Sequence, residues 1–364
     1  MSDAHGTSTE TYTFRRFTSD DRDSYLDLYE TVFGDRPSSA WFDWKYTHDP
    51  YVDHVPIVVA ECDGRLVGAR SFLALPLRAG EVDFVAFQPC DTMVHPDHRR
   101  RGLFTRMTER ALTEYANADP ALLFNFPNER TLAGNLKLGW ELVENLPVRY
   151  RFQDPTRSMD SVPEPVGRAL ATVCRLYNRV QETRAPTDPA IEVTRHSQVP
   201  ARDLATLAQQ TSPDGFHVPR DRRFYEWRYD RPDRSYETFV AHRDSERVGA
   251  AVVSSVGRDV RLLEFVPQTD KPAAISGALL RAIVRRFDGA EFLTTLADDI
   301  DPSVLRLFGF HNGRRRLLDR LVGGRPFVVR PITTAEEGSN WSFGGLDLRV
   351  PDNWTLRFGD FDVY

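Results

Sequence analysis

The chain has 364 residues, of which 41% are hydrophobic and 27% are charged. This length favours two domains of ordinary size, and the composition is that of a globular protein. The net charge of −6 disfavours broad nucleic-acid binding, and no apolar run reaches the ~18 residues that indicate a membrane span. Because the first residues also lack a signal sequence, we expect a cytoplasmic protein that binds neither nucleic acid nor membrane.

The cysteines and histidines give no sign of a metal or disulfide framework. Cys62, Cys90 and Cys174 are odd in number, far apart and without a C-x-x-C pair. We interpret Cys90 as a buried strand residue, since no histidine is paired with it at a recognisable spacing. His95 and His98 flank a tight turn with no obvious third ligand, so we expect turn residues and no metal.

The hydrophobic periodicity predicts alternating helices and strands along the first half. In chain order these are a strand over 11–17, a helix over 20–32, strands over 57–62, 65–75 and 83–94, a helix over 101–118, a strand over 121–126, a helix over 129–138 and a strand over 141–152. A proline-containing segment over 153–165 reads as a linker and precedes a helix over 166–182.

Three segments of the first half recur in the second half, in the same order. The matched segments are Trp41–Tyr46 with Phe224–Tyr229, Val58–Gly68 with Phe239–Gly249, and Lys137–Trp140 with Leu307–Phe310. Ordered repeats of this kind predict two copies of one fold. The predicted division is a first domain over 11–152, a linker and helix over 153–190, a second domain over 191–330, and a tail over 331–364 that possibly contributes docked strands.

The junction Arg99-Arg100-Arg101-Gly102-Leu103-Phe104 joins a predicted strand to an amphipathic helix. A helix N-terminus carries free N–H groups and partial positive charge, so three arginines there are unfavourable unless an anion is bound. Gly102 would let the backbone approach such a ligand closely. We therefore predict a phosphate site, with a solvated basic patch as the alternative. The matching junction Val266–Gly277 has no arginine run, which predicts an inactive second copy.

These motifs resemble the GNAT N-acetyltransferases. The pattern V-x-P-x-x-R-R-x-G over Val94–Gly102 precedes a helix, and L-G-W follows at residues 138–140. The family's pyrophosphate loop, [RQ]-x-x-G-x-[GA], is matched by Arg99 and Gly102, whereas Phe104 stands where a small residue is usual. The resemblance implies an α/β (α+β) protein of two tandem GNAT-like domains. Each would be a mixed, mostly antiparallel sheet flanked by helices, with the second domain degenerate.

The resemblance also implies acetyl-CoA as cosubstrate and places its contacts. Backbone groups at the end of the motif strand would bind the acyl carbonyl and pantetheine, the junction would bind the pyrophosphate, and a residue of the next loop would line the cleft. The implied residues are Thr92, Met93, Val94, Arg99, Arg100, Arg101, Gly102, Leu103, Phe104 and Asn128.

The proton donor to the leaving thiolate is not evident. The family's usual acid is a tyrosine five residues before the aromatic of the L-G-W segment, and counting back from Trp140 gives Asn135. Asparagine can donate a hydrogen bond to a thiolate but cannot supply a proton at this driving force. Solvent is one alternative, and Tyr46 or Tyr115 is another.

Three carboxylates are candidates for the general base: Asp91 on the motif strand, Glu129 at the start of the following helix, and the terminal carboxylate of Tyr364, which the resemblance suggests. A carboxylate partly desolvated near the cosubstrate would suit this role. For Asp91 a hydrogen-bonded strand residue is the favoured alternative, and for Glu129 a first-turn helix residue.

The predicted activity is transfer of an acetyl group from acetyl-CoA to an amine by direct attack. The acceptor, a small-molecule or peptide amine, cannot be identified from the sequence, and a homo-oligomer is possible. The aromatic cluster Trp41, Phe42, Trp44 and Tyr46 either lines an acceptor pocket or packs in the core. A non-catalytic acyl-CoA sensor or scaffold and an aminoacyl-tRNA-dependent transferase are the alternative functions.

Overall fold

The computed structural model describes residues 11–116, 121–153, 164–267, 272–296, 300–312, 324–332 and 340–362. The helices of these ranges are α1 (Arg22–Phe33), α2 (Ser39–Phe42), α3 (Leu103–Glu114), α4 (Glu129–Lys137), α5 (Glu164–Glu182), α6 (Ala201–Ala208), α7 (Arg222–Arg228), α8 (Ala273–Arg286) and α9 (Pro302–Leu307). A single π-helical turn over Asp43–Thr47 directly follows α2. Within these ranges no helix combines the length and apolar character needed to cross a membrane.

The strands of the first half and its linker are β1 (Tyr12–Arg16), β2 (Ile57–Cys62), β3 (Arg65–Ala79), β4 (Val82–Val94), β5 (Leu122–Asn125), β6 (Glu141–Leu146) and β7 (Val148–Phe152). Those of the second half are β8 (Ile191–His196), β9 (Tyr236–Arg243), β10 (Glu246–Val256), β11 (Asp259–Val266), β12 (Phe292–Leu296), β13 (His311–Asn312), β14 (Arg325–Pro331), β15 (Ser342–Phe343) and β16 (Leu346–Asp347).

Two seven-stranded sheets form the framework of the molecule. The first has the order β1-β2-β3-β4-β5-β14-β6, and the second has the order β13-β7-β12-β11-β10-β9-β8. Only β4 with β5 and β11 with β12 pair in parallel among the strands of these sheets. The predicted fold class, two mixed and mostly antiparallel sheets flanked by helices, is confirmed.

The two sheets exchange strands, which the sequence did not predict. The single strand predicted over 141–152 is wrong: β6 ends at Leu146, and β7 begins at Val148 in the second sheet. Pro147 between them has no N–H to donate, so the ladder of β6 loses a hydrogen bond at this position. In return β14 enters the first sheet between β5 and β6. Neither sheet is therefore built from one continuous stretch of chain.

Apolar side chains of the two sheets meet in one shared core. Leu73 and Leu75 of β3 and Val252 of β10 belong to the same buried cluster. The other face of the first sheet packs against α3 through residues such as Met107, and the other face of the second sheet packs against α8 through residues such as Leu279. Burial of this shared core holds the two halves together.

The recurring aromatic motif lies at the contact between the halves. The indole N–H of Trp44 donates to the carbonyl of Trp227 at 2.7 Å, and the indole N–H of Trp227 donates to the carbonyl of Trp44 at 3.0 Å. Their rings stack with centroids 6.1 Å apart. Such reciprocal bonds are what two copies related by an approximate two-fold axis produce. The repeat is thus visible in space as well as in sequence.

The tail binds to both halves. Strands β15 and β16 pair only with each other among the described strands, so the docked strands considered from the sequence join neither large sheet. Further on, Arg228 donates to the carbonyl of Gly359 at 2.9 Å, and Gln88 of β4 donates to the carbonyl of Asp360 at 2.9 Å. The ring of Phe361 stacks on Phe126, just beyond β5, with centroids 3.6 Å apart.

Candidate active site

The arginine-rich junction forms a tight connection between β4 and α3. Arg100 and Gly102 both have left-handed backbone conformations, with φ of 63° and 73°. Gly102 is the N-cap of α3, so the helix starts at Leu103, two residues later than the sequence indicated. A Cβ added at Gly102 would meet no atom within 4 Å. The glycine therefore supplies the turn and leaves open space on the ligand side.

The three arginine side chains of this junction are exposed around the start of α3. Arg99 donates to the carbonyl of Val94 at 3.3 Å, and Arg101 donates to the Tyr12 hydroxyl at 2.7 Å. Guanidinium groups beside the free N–H groups of a helix N-terminus form a site suited to a multiply charged anion. The structure thus brings the predicted phosphate-binding residues together on one surface, while Leu103 is buried beneath it.

A β-bulge interrupts β4 shortly before this junction. The pairing of β3 with β4 shifts at Arg70, so that Asp91 and Thr92 lie together opposite one residue. Asp91 has a φ of 40°, which is unusual for a residue with a side chain. A bulge leaves backbone groups outside the ladder and able to bind a ligand. The predicted carbonyl-binding segment at Thr92 to Val94 therefore starts at this bulge.

The Asp91 carboxylate is held in a buried ion pair. The same oxygen accepts a hydrogen bond from Lys45 Nζ at 2.6 Å and another from the Tyr46 hydroxyl at 2.5 Å. Burial alone would lower the pKa of Lys45, but the charge of Asp91, the smaller effects of Cys90 and Asp362, and the hydrogen bond to Asp91 together raise that pKa. A general base needs a lone pair directed at its substrate. Here one oxygen of the carboxylate is already bonded to a cation and a phenol.

The second copy repeats this arrangement with a different acid. The β10–β11 pairing also shifts, and Glu264 accepts from the Tyr229 hydroxyl at 2.8 Å. Tyr229 occupies the same place in the repeated motif as Tyr46. Arg220 and Arg357 pair with Glu264 at 2.8 and 3.4 Å. Because the bulge carboxylate and its tyrosine also occur beside the junction without an arginine run, the comparison favours a structural role for Asp91.

Three further candidates lie on α4 or at its start. Asn128 accepts from the N–H of Thr131 at 3.0 Å and caps the helix, and Glu129 is an exposed first-turn residue. Asn135 is fully buried, and neither polar atom of its side chain has a hydrogen-bond partner among the described residues. Its neighbour Gly134 faces the ring of Phe104, which a Cβ there would approach to 3.2 Å. The large residue in the loop thus fits against a glycine of α4.

Arg70 is a site residue that the sequence analysis missed. It is 1% exposed, and its Nη1 donates to the Thr92 hydroxyl at 2.6 Å. Its Nε and Nη2 have no hydrogen-bond partner in the described part of the chain. The guanidinium lies 4.9 Å from the centroid of the Phe104 ring, and burial lowers its pKa to about 10. The available signal was a lone arginine within the apolar strand that follows Gly68.

The remaining candidates for the acid, base or nucleophile are Tyr364, Tyr115 and Cys90. Tyr364 lies outside the described residues. Tyr115 has its hydroxyl 2.8 Å from His54 Nε2, and burial raises its pKa to about 12. The tail reaches β4 through Asp362, whose backbone N–H donates to the Gln88 side chain. Cys90 is buried, which raises the pKa of its thiol and disfavours a nucleophilic role.

The histidines of the β4–α3 turn are occupied locally. His95 Nδ1 accepts from the N–H of Asp97 at 3.3 Å, and His98 Nδ1 lies 3.0 Å from the Tyr12 hydroxyl. No group of three or more metal-type side chains occurs in the described ranges. These contacts are those of turn residues.

The aromatic cluster of the first half belongs to the core. Trp41, Phe42, Trp44 and Tyr46 are all buried. Behind Trp44, a cleft of about 1160 Å³ opens between the halves. Its lining includes both acidic and basic side chains, among them Asp43, Asp230, Arg223 and Arg231. Trp44 of the aromatic cluster is among the lining residues, whereas none of the predicted cofactor-binding or catalytic residues lines this cleft.

Comparison with known proteins identifies the first half. Residues 13–143 match a family model described as an acetyltransferase (GNAT) domain. The chain therefore contains a GNAT domain, and the family inferred from the motifs is confirmed. No curated protein matches the chain.

Several solved structures share the fold at low sequence identity. A GCN5-related N-acetyltransferase from Anabaena variabilis is similar with a TM-score of 0.61 and 12% identity, over 89% of this chain and 73% of that one. Eis1 from Mycobacterium abscessus gives 0.53 and 14%, over 88% and 74%. A tandem GNAT protein from the clavulanic acid biosynthesis pathway gives 0.53 and 13%, over 90% and 100%. The tandem arrangement is thus known in a protein of similar fold.

Proposed function

We propose that the protein is an acyl-CoA-dependent N-acyltransferase whose first domain transfers an acetyl group from acetyl-CoA to an amine. The observation that carries this proposal is the junction between β4 and α3. Arg99, Arg100 and Arg101 surround a helix N-terminus that is opened by the left-handed Gly102. A fold does not need three arginines at that end of a helix, and an anionic cosubstrate explains them.

The reaction proposed is direct attack of the amine on the thioester carbonyl. A C–N bond forms, the C–S bond breaks, and CoA leaves as a thiolate while the amine loses a proton. The junction holds the pyrophosphate, and free backbone groups at the Thr92 bulge stabilise the carbonyl oxygen as it gains charge. Together these contacts fix the thioester at the end of β4.

The proton from the amine requires a base that is not already paired. The bonds of Asp91 to Lys45 and Tyr46 argue against it, whereas Glu129 is exposed in the first turn of α4, which follows the end of β5 on the same side as the end of β4. Glu129 is therefore the carboxylate among the described candidates that we propose as the base. The acceptor is proposed only as a small-molecule or peptide amine.

A thiol-release assay tests this proposal. The protein is incubated with acetyl-CoA and a panel of aminoglycosides, polyamines and lysine peptides, and free CoA is measured with a thiol reagent. We expect release with at least one amine and a loss of about tenfold or more in kcat/KM for Arg99→Ala. Tight acetyl-CoA binding without release for any amine would favour the sensor, an alternative that the absence of a tyrosine at Asn135 supports.

A further inference from the structure

The first half buries a cation that forms no ion pair with any described residue. Arg70 is 1% exposed, and its one side-chain hydrogen bond within the described ranges goes to the neutral hydroxyl of Thr92. Its nearest rings are those of Phe104 and Phe72, with centroids 4.9 and 5.7 Å from the guanidinium carbon. The burial that lowers the pKa of Arg70 is opposed only by a small contribution from Cys90. An unpaired charge in such a place destabilises the fold, so its presence calls for a ligand.

The position of Arg70 indicates which part of a bound ligand it would contact. Its side chain is on the α3 face of the first sheet, between the bulge at Thr92 and the junction residue Phe104. The Phe104 ring also faces Gly134 of α4. The next residue, Asn135, is the second buried side chain here whose polar atoms have no partner in the described ranges. Arg70 thus lies between the proposed pyrophosphate junction and the bulge, and Asn135 directly follows the glycine that faces the same phenylalanine ring.

The second copy provides an internal control. The repeated hairpin aligns Gly68 with Gly249, which places Ala251 at the position of Arg70. Ala251 pairs with Phe265 of β11 and belongs to the apolar core beneath α8. The strand position thus accepts a small apolar residue in this fold. At this strand position an arginine occurs in the copy that carries the Arg99–Gly102 junction and an alanine in the other.

We propose that Arg70 is a catalytic residue that stabilises the thiolate of CoA as it leaves, with Asn135 donating a second hydrogen bond. This inference rests on the proposed acyltransferase function. As the amine nitrogen bonds to the carbonyl carbon, the electron pair of the C–S bond passes to sulfur, and Arg70 offsets that negative charge. The CoA thiolate is later protonated by solvent, so arginine donates hydrogen bonds and no proton.

Along the path of bound acetyl-CoA from the junction to the bulge, the thioester sulfur is the atom that needs a cation beside it. The pantetheine amides are neutral, and the carbonyl oxygen is served by the backbone at the bulge. A fixed cation in a dry site stabilises an adjacent anion far more than it would in water. The arrangement also explains how Asn135 can stand where a tyrosine acid is usual, because a stabilised thiolate needs no immediate proton.

The thiol pKa of bound CoA tests the inference directly. CoA is titrated with pH in complex with the protein, and the thiolate is followed by its ultraviolet absorbance. We expect the pKa of the bound thiol to fall by about one unit or more below that of free CoA. Arg70→Met should abolish the shift, and Arg70→Lys should keep part of it. The matched control is Arg330→Met, which removes a half-buried arginine whose Nε already donates to the Leu138 carbonyl at 2.8 Å.

Two further measurements separate this role from a structural one. Arg70→Met should unfold at an equal or higher temperature than the wild type, because it removes an unpaired buried charge. Its kcat should fall about 100-fold with little change in KM. A lower unfolding temperature for Arg70→Met, together with an unshifted thiol pKa in the wild type, would overturn the inference.

The outcomes also distinguish this inference from the proposed function. If the wild type binds CoA but the thiol pKa equals that of free CoA, Arg70 does not stabilise the thiolate and the acyltransferase proposal stands. If malonyl-CoA or succinyl-CoA reacts better than acetyl-CoA only while Arg70 is present, Arg70 recognises an acyl carboxylate and the inference is wrong. If no CoA binds, both proposals fail.

Discussion

The two halves of the molecule present the same bulged strand followed by a helix, but they end that strand differently. In the first half β4 leads through three exposed arginines and a left-handed Gly102 into α3. In the second half β11 leads to α8, whose N-cap is Pro272. Both halves keep a carboxylate on the bulge with a hydroxyl bonded to it. Features that occur in both copies are what the fold requires, and features confined to one copy are what function has added.

The candidate residues fall into two groups, those with a counterpart in the second half and those found in the first half alone. Asp91 and Glu264 fall into the shared group, since each accepts from the tyrosine of the repeated aromatic motif. Arg70, Arg99 and Gly102 fall into the group found in the first half. The predictions that follow test that sorting, beginning with the largest expected effect.

Glu264→Gln should cost about 4 kcal/mol of unfolding free energy. Glu264 is fully buried between Arg220 and Arg357 and also accepts from Tyr229. Removing its charge leaves two buried guanidinium groups with less negative charge to face. Urea unfolding followed by tryptophan fluorescence measures the change. A loss below about 1 kcal/mol would show that the bulge carboxylate is dispensable to the fold.

Asp91→Asn should destabilise the first half by about 3 kcal/mol, because Lys45 stays buried without its partner. Lys45→Met combined with Asp91→Asn should recover part of the loss, since no unpaired charge then remains. The difference in unfolding free energy between the two variants, measured with urea, gives the cost of leaving Lys45 buried without its partner. If Asp91→Asn unfolds like the wild type yet loses turnover, Asp91 is a base and the sorting by comparison is wrong.

Asp49, a buried carboxylate of the first half, should make stability depend on pH. Burial raises the pKa of Asp49 to about 7, although its carboxylate accepts from the N–H groups of Tyr51 and Ala74. Because the folded-state pKa lies above the unfolded value, protonated Asp49 stabilises the fold below about pH 4. That contribution is lost as the pH rises to about 7.

The stability penalty of Asp49→Asn should therefore shrink by about 2 kcal/mol between pH 5 and pH 7. Urea unfolding of both proteins at the two pH values measures this difference, and other titrating groups cancel between them. A penalty that is constant with pH would mean that Asp49 is ionised throughout. Asp35, an exposed carboxylate just after α1, is the control position and should show no such change after substitution by asparagine.

Local patterns predicted much of this molecule. The hairpin of β2 and β3 and the helix α4 follow from periodicity and turn residues, which act over a few positions. The strand exchange did not follow, because β7 and β14 acquire their partners from segments more than a hundred residues away. Pro147 was the local sign that one strand had become two.

The candidate site divides in the same way. The junction proposed to bind phosphate is a contiguous run, so its residues could be named from the sequence alone. Arg70 was missed because its significance lies in what surrounds it, a neutral and apolar environment that only packing reveals. Asp91 was a candidate base in the sequence analysis because its pairing with Lys45, which lies in a distant turn, could not be seen from the sequence. Charge pairing across sheets is not encoded in local spacing.

Isothermal titration with acetyl-CoA tests the central claim most directly, because the two copies make different predictions for its stoichiometry. We expect one molecule bound per chain, with Arg99→Ala weakening binding about tenfold and Gly102→Asp abolishing it. Arg110→Ala, which removes an exposed arginine of α3 that pairs with Glu114, should bind like the wild type. Two molecules per chain, or unchanged affinity in Arg99→Ala and Gly102→Asp, would contradict the assignment of a single site to the Arg99–Gly102 junction.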